Sequence, residues 1–197
     1  DTGPQLLSRA AALNWDSDAP ATVIVGTPPP EQNVSVPLAI HNTAKQHDRA
    51  ALSVVQGSTL VAIVSGPIVT SDAFSAALLN HFADAPVVIG PTMPNLTAAH
   101  TSANEAMAAM AAVDGWPNAP RPVHSVELLP ERALNGDQSA ITALIDTLVR
   151  PLAKGGPTLA TTLETYLDTG GSVEACAREL FIHPNTVRYR LKKVAEL

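Results

Sequence analysis

Few residues in this sequence could support redox or metal chemistry. Cys176 is the only cysteine among 197 residues, so the chain cannot form an internal disulfide. It falls on the apolar side of a predicted helix, where we expect a packed core thiol instead of a redox or metal-binding one. The six histidines lack cysteine partners and metalloprotease spacing, which argues against a metal site. They are His41, His47, His81, His100, His124 and His183.

The motifs of several common enzyme classes are absent. The sequence contains no GxSxG nucleophile motif, no GxGxxG dinucleotide loop and no P-loop. Aromatic residues make up only 4% of the chain, and we expect Trp15 and Trp116 to be core or interface aromatics. These absences predict that the protein is not an enzyme and uses no cofactor.

Long hydrophobic runs are also missing. No uninterrupted apolar stretch approaches the roughly 20 residues that a membrane-spanning helix needs, and no signal peptide is recognisable. We therefore expect a cytoplasmic protein with no membrane partner. The chain begins with Asp1 instead of methionine, so we expect a fragment of a longer protein with an upstream sensing domain.

The last forty residues carry the clearest structural pattern. A helix is predicted between Thr158 and Asp168, because apolar residues recur there with the spacing of one buried face. The residues of that face are Leu159, Leu163, Tyr166 and Leu167. Gly170 and Gly171 should end this helix, since glycine adopts left-handed dihedral angles without steric cost.

A second and a third helix are predicted after the glycine pair. Ser172 is placed to cap the second helix, with Glu174 in its first turn. Its inward face should consist of Val173, Cys176, Ala177, Leu180 and Phe181. A turn then leads into the third helix, with His183 as its N-cap. Pro184 suits the first helical position, because its missing N–H would have no partner there.

The third helix is predicted to have an apolar and a cationic face. Val187, Leu191 and Val194 fall together on a helical wheel and should face the core. Arg190 lies near the apolar edge, so we expect it to contact phosphate or pack between helices before it reads a base. The candidate DNA-binding residues are Asn185, Thr186, Arg188, Tyr189, Arg190, Lys192 and Lys193.

The charge distribution favours DNA recognition by this segment. The net charge of −6 is unfavourable for DNA binding when the chain is taken as a whole. Residues 1–157 carry 7 basic and 13 acidic side chains, whereas residues 181–193 carry four cations and no acid. A solvated basic helix face is the alternative interpretation. The spacing of the three helices and their caps favours a helix-turn-helix that enters the major groove.

The larger part of the chain alternates strand and helix patterns. Strands are predicted over residues 21–26, 50–56, 59–65 and 85–90, with Gly57-Ser58 as a hairpin turn. Helices over residues 35–47 and 71–82 complete a βαββαβ order, which predicts an α+β, ferredoxin-like domain with helices on one face. The remaining predicted elements are a helix over residues 95–113, an extended segment over 121–126 and a helix over 137–149.

A hinge is predicted where prolines and glycines cluster after this domain. Pro151 and residues 154–157 mark the expected connection, so we expect one domain over residues 1–150 and a small all-α domain over 151–197.

The C-terminal segment resembles the DNA-binding segment of the PucR/CdaR family of bacterial transcription regulators. The matching positions are Gly170, Gly171, Ala177, Arg178, Leu180, His183, Asn185, Thr186, Tyr189, Arg190 and Leu191. Pro184 departs from the pattern, because many relatives are expected to have a basic residue there. The resemblance implies a sequence-specific regulator that binds double-stranded operator DNA as a homodimer and responds to a small-molecule inducer.

The βαββαβ unit resembles the GGDEF-like domain that precedes the DNA-binding segment in this family. Its matching hairpin is residues 56–60, where Ser58 and Thr59 replace the acidic pair with which diguanylate cyclases hold Mg²⁺. The resemblance therefore implies a degenerate fold without cyclase activity, used for dimerisation or signal relay. Residues 102–106 match a Ser-x-x-Glu-Ala segment of the family, which we expect to be structural.

A second class of function remains open at this point. The chain could be a signalling module that binds a small molecule or nucleotide, with a helical segment that serves only protein packing. The basic residues of the third helix favour the transcription regulator.

Overall fold

Five strands form one sheet in the described part of the computed structural model, which comprises residues 15, 16, 18–30 and 35–197. The strands are β1 (Ala21–Gly26), β2 (Ala51–Gln56), β3 (Thr59–Ser65), β4 (Val87–Ile89) and β5 (Val123–His124). Their order is β2-β3-β1-β4-β5, and only the β4–β5 pair in this sheet is parallel. The first four strands fit the predicted ferredoxin-like unit. Gly57 adopts a φ of +60° in the predicted hairpin turn between β2 and β3.

Helices cover both faces of this sheet. The helices α1 (Val36–Gln46) and α2 (Ala73–Leu79) pack on one face, in a cluster that includes Ile24. The Ala-rich helix α3 (Ala99–Ala112) packs on the other face, with Val23 and Val25. The two helices of the βαββαβ unit therefore lie on one face, as predicted, and the helix that follows this unit covers the other face. All six residues of β1 are buried, as expected for a strand of a sheet that is covered on both faces.

Close approach explains the small residues of α3. The Ser102 hydroxyl accepts a hydrogen bond of 2.9 Å from the Val23 backbone N–H. A Cβ atom at Gly90 would lie 2.3 Å from the Ser102 carbonyl oxygen, so only glycine fits at that point. Ala106 is fully buried one turn further along. Residues 102–106 therefore have the structural role expected for them.

The two tryptophans are core aromatics, as expected. Trp15 is buried in the cluster on this face of the sheet, and Trp116 packs against that cluster.

A short helix, α4 (Leu129–Leu134), follows β5 and was not predicted. Its six residues are too few for an apolar period to be recognised. It carries Arg132, which is only 1% exposed. The Arg132 guanidinium contacts Asp137 at 2.9 Å and Glu105 at 3.2 Å, and donates to the Ser125 carbonyl at 3.1 Å. This buried charge therefore connects α3, α4 and the end of the N-terminal unit.

The described residues divide into two units between Asp137 and Gln138. This division precedes the expected one after residue 150, because residues 138–154 are helical and their last part contacts the next helix, residues 157–168. The expected domain 1–150 also includes residues 1–14, 17 and 31–34, which lie outside the described residues.

All secondary structure elements of the C-terminal unit are helices. Its elements are α5 (Gln138–Leu144), a π-helical turn (Ile145–Val149), α6 (Arg150–Lys154), α7 (Pro157–Asp168), α8 (Val173–Glu179) and α9 (Pro184–Ala195). Pro151 lies in the first turn of α6, where proline is tolerated, so the helical run continues through it. The run is interrupted at Gly155-Gly156, within the predicted 154–157 connection, and Gly156 has a φ of +94°. No helix in the described part of the chain is long and apolar enough to cross a membrane.

We predict that Arg132→Ala lowers the free energy of unfolding by about 3–5 kcal/mol, because two carboxylates lose their buried partner. Arg150→Ala is the matched control. Arg150 is 65% exposed and pairs with Asp146 on one helical turn, so its loss should cost less than about 1 kcal/mol. Urea unfolding followed by circular dichroism measures both values. Equal effects of the two substitutions would contradict the structural role of Arg132.

Candidate nucleic-acid interface

Three small or medium side chains hold the helices α7, α8 and α9 together. Val187 and Cys176 are 0% exposed and Ala177 is 3% exposed. The side chains packed against them are Tyr166, Val173, Leu180, Ile182 and Leu191. A single helix of this length buries little by itself, so the orientation of α9 depends on this shared cluster.

The buried face of α7 differs from the predicted one. Thr162 and Thr165 are buried, whereas Leu167 is 64% exposed. The reason is that a threonine can be buried at low cost when its hydroxyl is satisfied within the helix, and Thr162 donates to the Thr158 carbonyl at 2.7 Å. Leu159, Leu163 and Tyr166 are half-buried, so the predicted face is wrong only in including Leu167.

The predicted caps of the motif are confirmed. Gly170 has a φ of +68°, and the Gly171 N–H donates to the Tyr166 carbonyl at 2.9 Å, as in a Schellman motif. The Ser172 hydroxyl accepts the Ala175 N–H at 3.2 Å. At the start of α9, His183 Nδ1 accepts the Asn185 N–H at 3.1 Å. These contacts fix where each helix begins and ends.

Cys176 is a core thiol, as expected. Its Sγ lies 3.7 Å from the Thr162 carbonyl oxygen, and the side chain is fully buried. Burial raises the pKa of the Cys176 thiol above its ordinary value, which disfavours the reactive thiolate. Among the described residues, no group of three His, Cys, Asp or Glu side chains is arranged to hold a metal ion.

Phe181 does not belong to the inward face of α8. Its side chain is 94% exposed, and its backbone φ is +54°. The helix ends at Glu179, so the helical period no longer applies two residues later. The Ile182 N–H donates to the Ala177 carbonyl at 3.0 Å, which closes the helix end with Phe181 in the left-handed position.

The outward face of α9 carries most of the candidate residues. The inward prediction is confirmed, since Val187 is buried and Leu191 and Val194 are half-buried. The exposed candidates are Asn185, Arg188, Tyr189, Lys192 and Lys193, and Thr186 is half-buried. Arg190 is also half-buried, and its Nη1 donates to Thr162 Oγ1 at 3.2 Å. Arg190 thus faces α7, on a different side from the exposed cations.

Arg188 is held by two acceptors at the start of this face. Its Nη1 donates to Asn185 Oδ1 and its Nη2 to Glu174 Oε1, both at 3.0 Å. Glu174 lies 14 residues earlier in the chain, and its place in the first turn of α8 indicated only a favourable helix-dipole interaction. Sequence reasoning therefore did not identify Glu174 as a partner of Arg188. Only the packing of α8 against α9 brings the two side chains together.

The two lysines of α9 differ in their partners. Lys193 donates to Glu196 Oε2 at 2.8 Å, and this hydrogen bond raises the pKa of the Lys193 ammonium group. Lys192 has no ion-pair partner among the described residues and is exposed. Its charge is therefore available to an anion without breaking an existing contact.

The GGDEF-like hairpin offers no comparable site. Its tip is exposed at Gly57 and Ser58, with Thr59 half-buried beside them. None of these side chains supplies the carboxylate oxygens that a Mg²⁺ ion prefers.

Two family models match this chain. The model of the PucR C-terminal helix-turn-helix domain matches residues 159–197. The model of the GGDEF-like domain matches residues 1–112, which is more than half of the chain. The chain belongs to the PucR/CdaR family of bacterial transcription regulators. The predicted family and the α+β fold class are thereby confirmed, and the C-terminal unit contains a PucR-type helix-turn-helix domain.

Several proteins are similar to this chain in sequence or in fold. Uncharacterized proteins from Mycobacterium tuberculosis and Mycobacterium bovis are 61% identical over 204 residues, and the match covers all of this chain and 49% of each relative. The chain thus spans about half the length of these curated relatives. A solved structure, the regulator of polyketide synthase expression from Bifidobacterium adolescentis, is 31% identical with a TM-score of 0.77. That match covers 99% of this chain and 82% of the solved chain.

We predict that Arg190→Ala lowers the free energy of unfolding of the helix-turn-helix by about 1–3 kcal/mol, because a charged hydrogen bond to α7 is lost. Lys192→Ala is the matched control in the same helix and should change stability by less than about 0.5 kcal/mol. Thermal unfolding followed by circular dichroism compares the two. An unchanged melting temperature for Arg190→Ala would contradict a packing role.

Proposed function

We propose that this chain is the DNA-binding part of a homodimeric transcription regulator, in which α9 enters the major groove. The observation that carries the proposal is the division of α9 into a buried side at Val187 and an exposed side that carries Arg188 and Lys192. A helix fixed on one side and cationic on the other suits the major groove in width and charge.

Different roles follow for the exposed side chains. Arg188 has the donor pattern that matches the acceptor edge of guanine, and Asn185 can both donate to and accept from adenine. Lys192 and Lys193 suit phosphate contacts, which position a protein without reading sequence. Tyr189 and Thr186 complete the proposed contact surface. Arg190 supports this surface from the α7 side.

The Arg188 contacts add a reason for selectivity. The guanidinium is already oriented by Asn185 and Glu174, so less conformational freedom is lost when it meets a base. Glu174 also places a negative charge beside the proposed groove face, which penalises unspecific contact with phosphate. Both effects favour discrimination between sequences over affinity for any DNA.

We assign the N-terminal unit to dimerisation or signal relay, not to catalysis. The GGDEF-like hairpin lacks the acidic pair needed for metal-dependent nucleotide chemistry, which supports this assignment. A metabolite that acts as inducer remains part of the proposal, with its chemical identity open. Because bacterial DNA lies in the cytoplasm, the proposal places the protein there.

Selection of duplexes from a randomised DNA pool, followed by fluorescence anisotropy at several salt concentrations, tests the proposed function. Contacts to phosphates release counterions, so the logarithm of affinity should fall with the logarithm of salt by about 0.9 per neutralised phosphate. The absence of any selected sequence would overturn the DNA-binding proposal and favour the alternative, a signalling module with a helical packing segment.

We predict that Arg188→Ala and Lys192→Ala each weaken binding to the selected duplex by about 1–3 kcal/mol. The two variants should differ in kind. Arg188→Ala should relax discrimination at one base position, whereas Lys192→Ala should weaken all sequences and reduce the salt slope by about one. Lys154→Ala, which removes an exposed charge from α6, is the control. Unchanged affinity in both α9 variants would contradict the groove-facing assignment.

We predict that specific DNA recognition requires two chains. One recognition helix contacts only a few base pairs, so symmetric dimers usually bind half-sites about 34 Å apart or a multiple of this spacing. Sedimentation of the chain with the selected duplex measures the stoichiometry, and the free chain is the control. A complex of one chain per duplex with full sequence specificity would contradict this prediction.

A further inference from the structure

Phe181 occupies a backbone conformation that suits glycine. Its φ of +54° lies in the left-handed region, where a Cβ atom approaches the following carbonyl oxygen. The position is the one after the C-cap of α8, which many helices fill with glycine for this reason. An aromatic residue at this position therefore carries a conformational cost. Such costs are often found at functional sites.

The exposure of Phe181 adds a second unfavourable term. Its side chain is 94% exposed, so nearly all of its apolar surface meets water. Burial within this unit therefore does not offset the backbone strain. The ring borders an open groove whose other walls include Arg178, Ile182 and Pro184. An occupant of this groove would remove the ring from water.

The surroundings of Phe181 indicate what that occupant is. Phe181 lies two residues before His183, the N-cap of the proposed recognition helix. Arg178, on the same groove, is exposed and has no ion-pair partner among the described residues. Glu174 also borders the groove, but its carboxylate is engaged by Arg188 at 3.0 Å. An apolar ring beside an unpaired arginine fits a partner that carries an apolar surface next to an anion. Duplex DNA has such pairs along its backbone, where each deoxyribose adjoins a phosphate.

We propose that Phe181 is a DNA-contacting residue, whose ring packs against a deoxyribose or a thymine methyl group while Arg178 neutralises an adjacent phosphate. This inference rests on the proposed function and extends the interface from α9 to the preceding turn. Apolar contacts with thymine methyl groups are an established means of base recognition, and arginine contacts with phosphate fix the register. Burial of the Phe181 ring against DNA thus offsets its backbone strain in the complex.

The test separates stability from binding. In Phe181→Gly and Phe181→Asn the new residue tolerates the left-handed region, so the melting temperature should equal or exceed that of the unchanged chain. Affinity for the selected duplex should nevertheless fall roughly tenfold. Leu134→Ala is the control, because Leu134 is 91% exposed but lies in the N-terminal unit. The affinity of Leu134→Ala for the selected duplex should equal that of the unchanged chain.

A second arm distinguishes the two apolar surfaces of DNA. Duplexes in which single thymines are replaced by uracil lack one methyl group each. If Phe181 contacts that methyl, the unchanged chain should bind one such uracil duplex more weakly than the thymine duplex. Phe181→Gly should bind these two duplexes with equal affinity. If the contact is to deoxyribose, no single replacement has this effect, while the variant loses affinity for all sequences.

Several outcomes would overturn the inference. Full DNA affinity in both stable variants would assign Phe181 to another partner, such as a protein. A clear drop in melting temperature in both variants would show that the ring stabilises the fold and would remove the argument from strain. If the unchanged chain binds no selected duplex, the proposed function itself fails. If it binds but the Phe181 variants bind equally well, only this inference fails.

Discussion

The burial of Val187 against Cys176 and Ala177 is the contact on which the proposed interface depends. It fixes the rotation of α9 about its axis and so decides that Arg188 and Lys192 face outward. Arg190 reinforces the same orientation through its hydrogen bond to Thr162. Since small side chains form this core, α8 and α9 approach closely enough for Glu174 to reach Arg188.

Small residues serve a similar purpose in the N-terminal unit. Gly90 and Ser102 allow α3 to lie directly on the sheet, where the Ser102 hydroxyl accepts a backbone N–H of β1. A larger side chain at either position would separate the helix from the strand. The buried ion-pair cluster around Arg132 then ties α3 to the end of this unit. Neither the Ser102 hydrogen bond nor the Arg132 ion pairs involve residues 56–60. The loss of the acidic pair in this hairpin therefore does not disturb the contacts that hold the unit together.

The candidate interface contains a residue whose conformation and exposure do not favour the stability of the folded unit. The turn before α9 has phenylalanine in a conformation that glycine would adopt more easily, and the ring is left in water. Across the same groove, Glu174 places a carboxylate beside a cationic face. The packing of α8 against α9 explains the position of Glu174, which pairs with Arg188, but it does not explain the exposed ring. The exposed ring is consistent with the DNA contact proposed for Phe181.

The sequence by itself determined the elements whose cause is local. The strand β1, the Gly57 turn, the Ser172 and His183 caps and the outward cations of α9 follow from short-range periodicity and backbone chemistry. Only the tertiary structure decided that α3 covers the second face of the sheet, that Glu174 meets Arg188 and that Phe181 is exposed. These outcomes depend on which side of each helix meets a neighbour and where the helix stops. Such choices arise from packing between residues far apart in sequence, which no local period encodes.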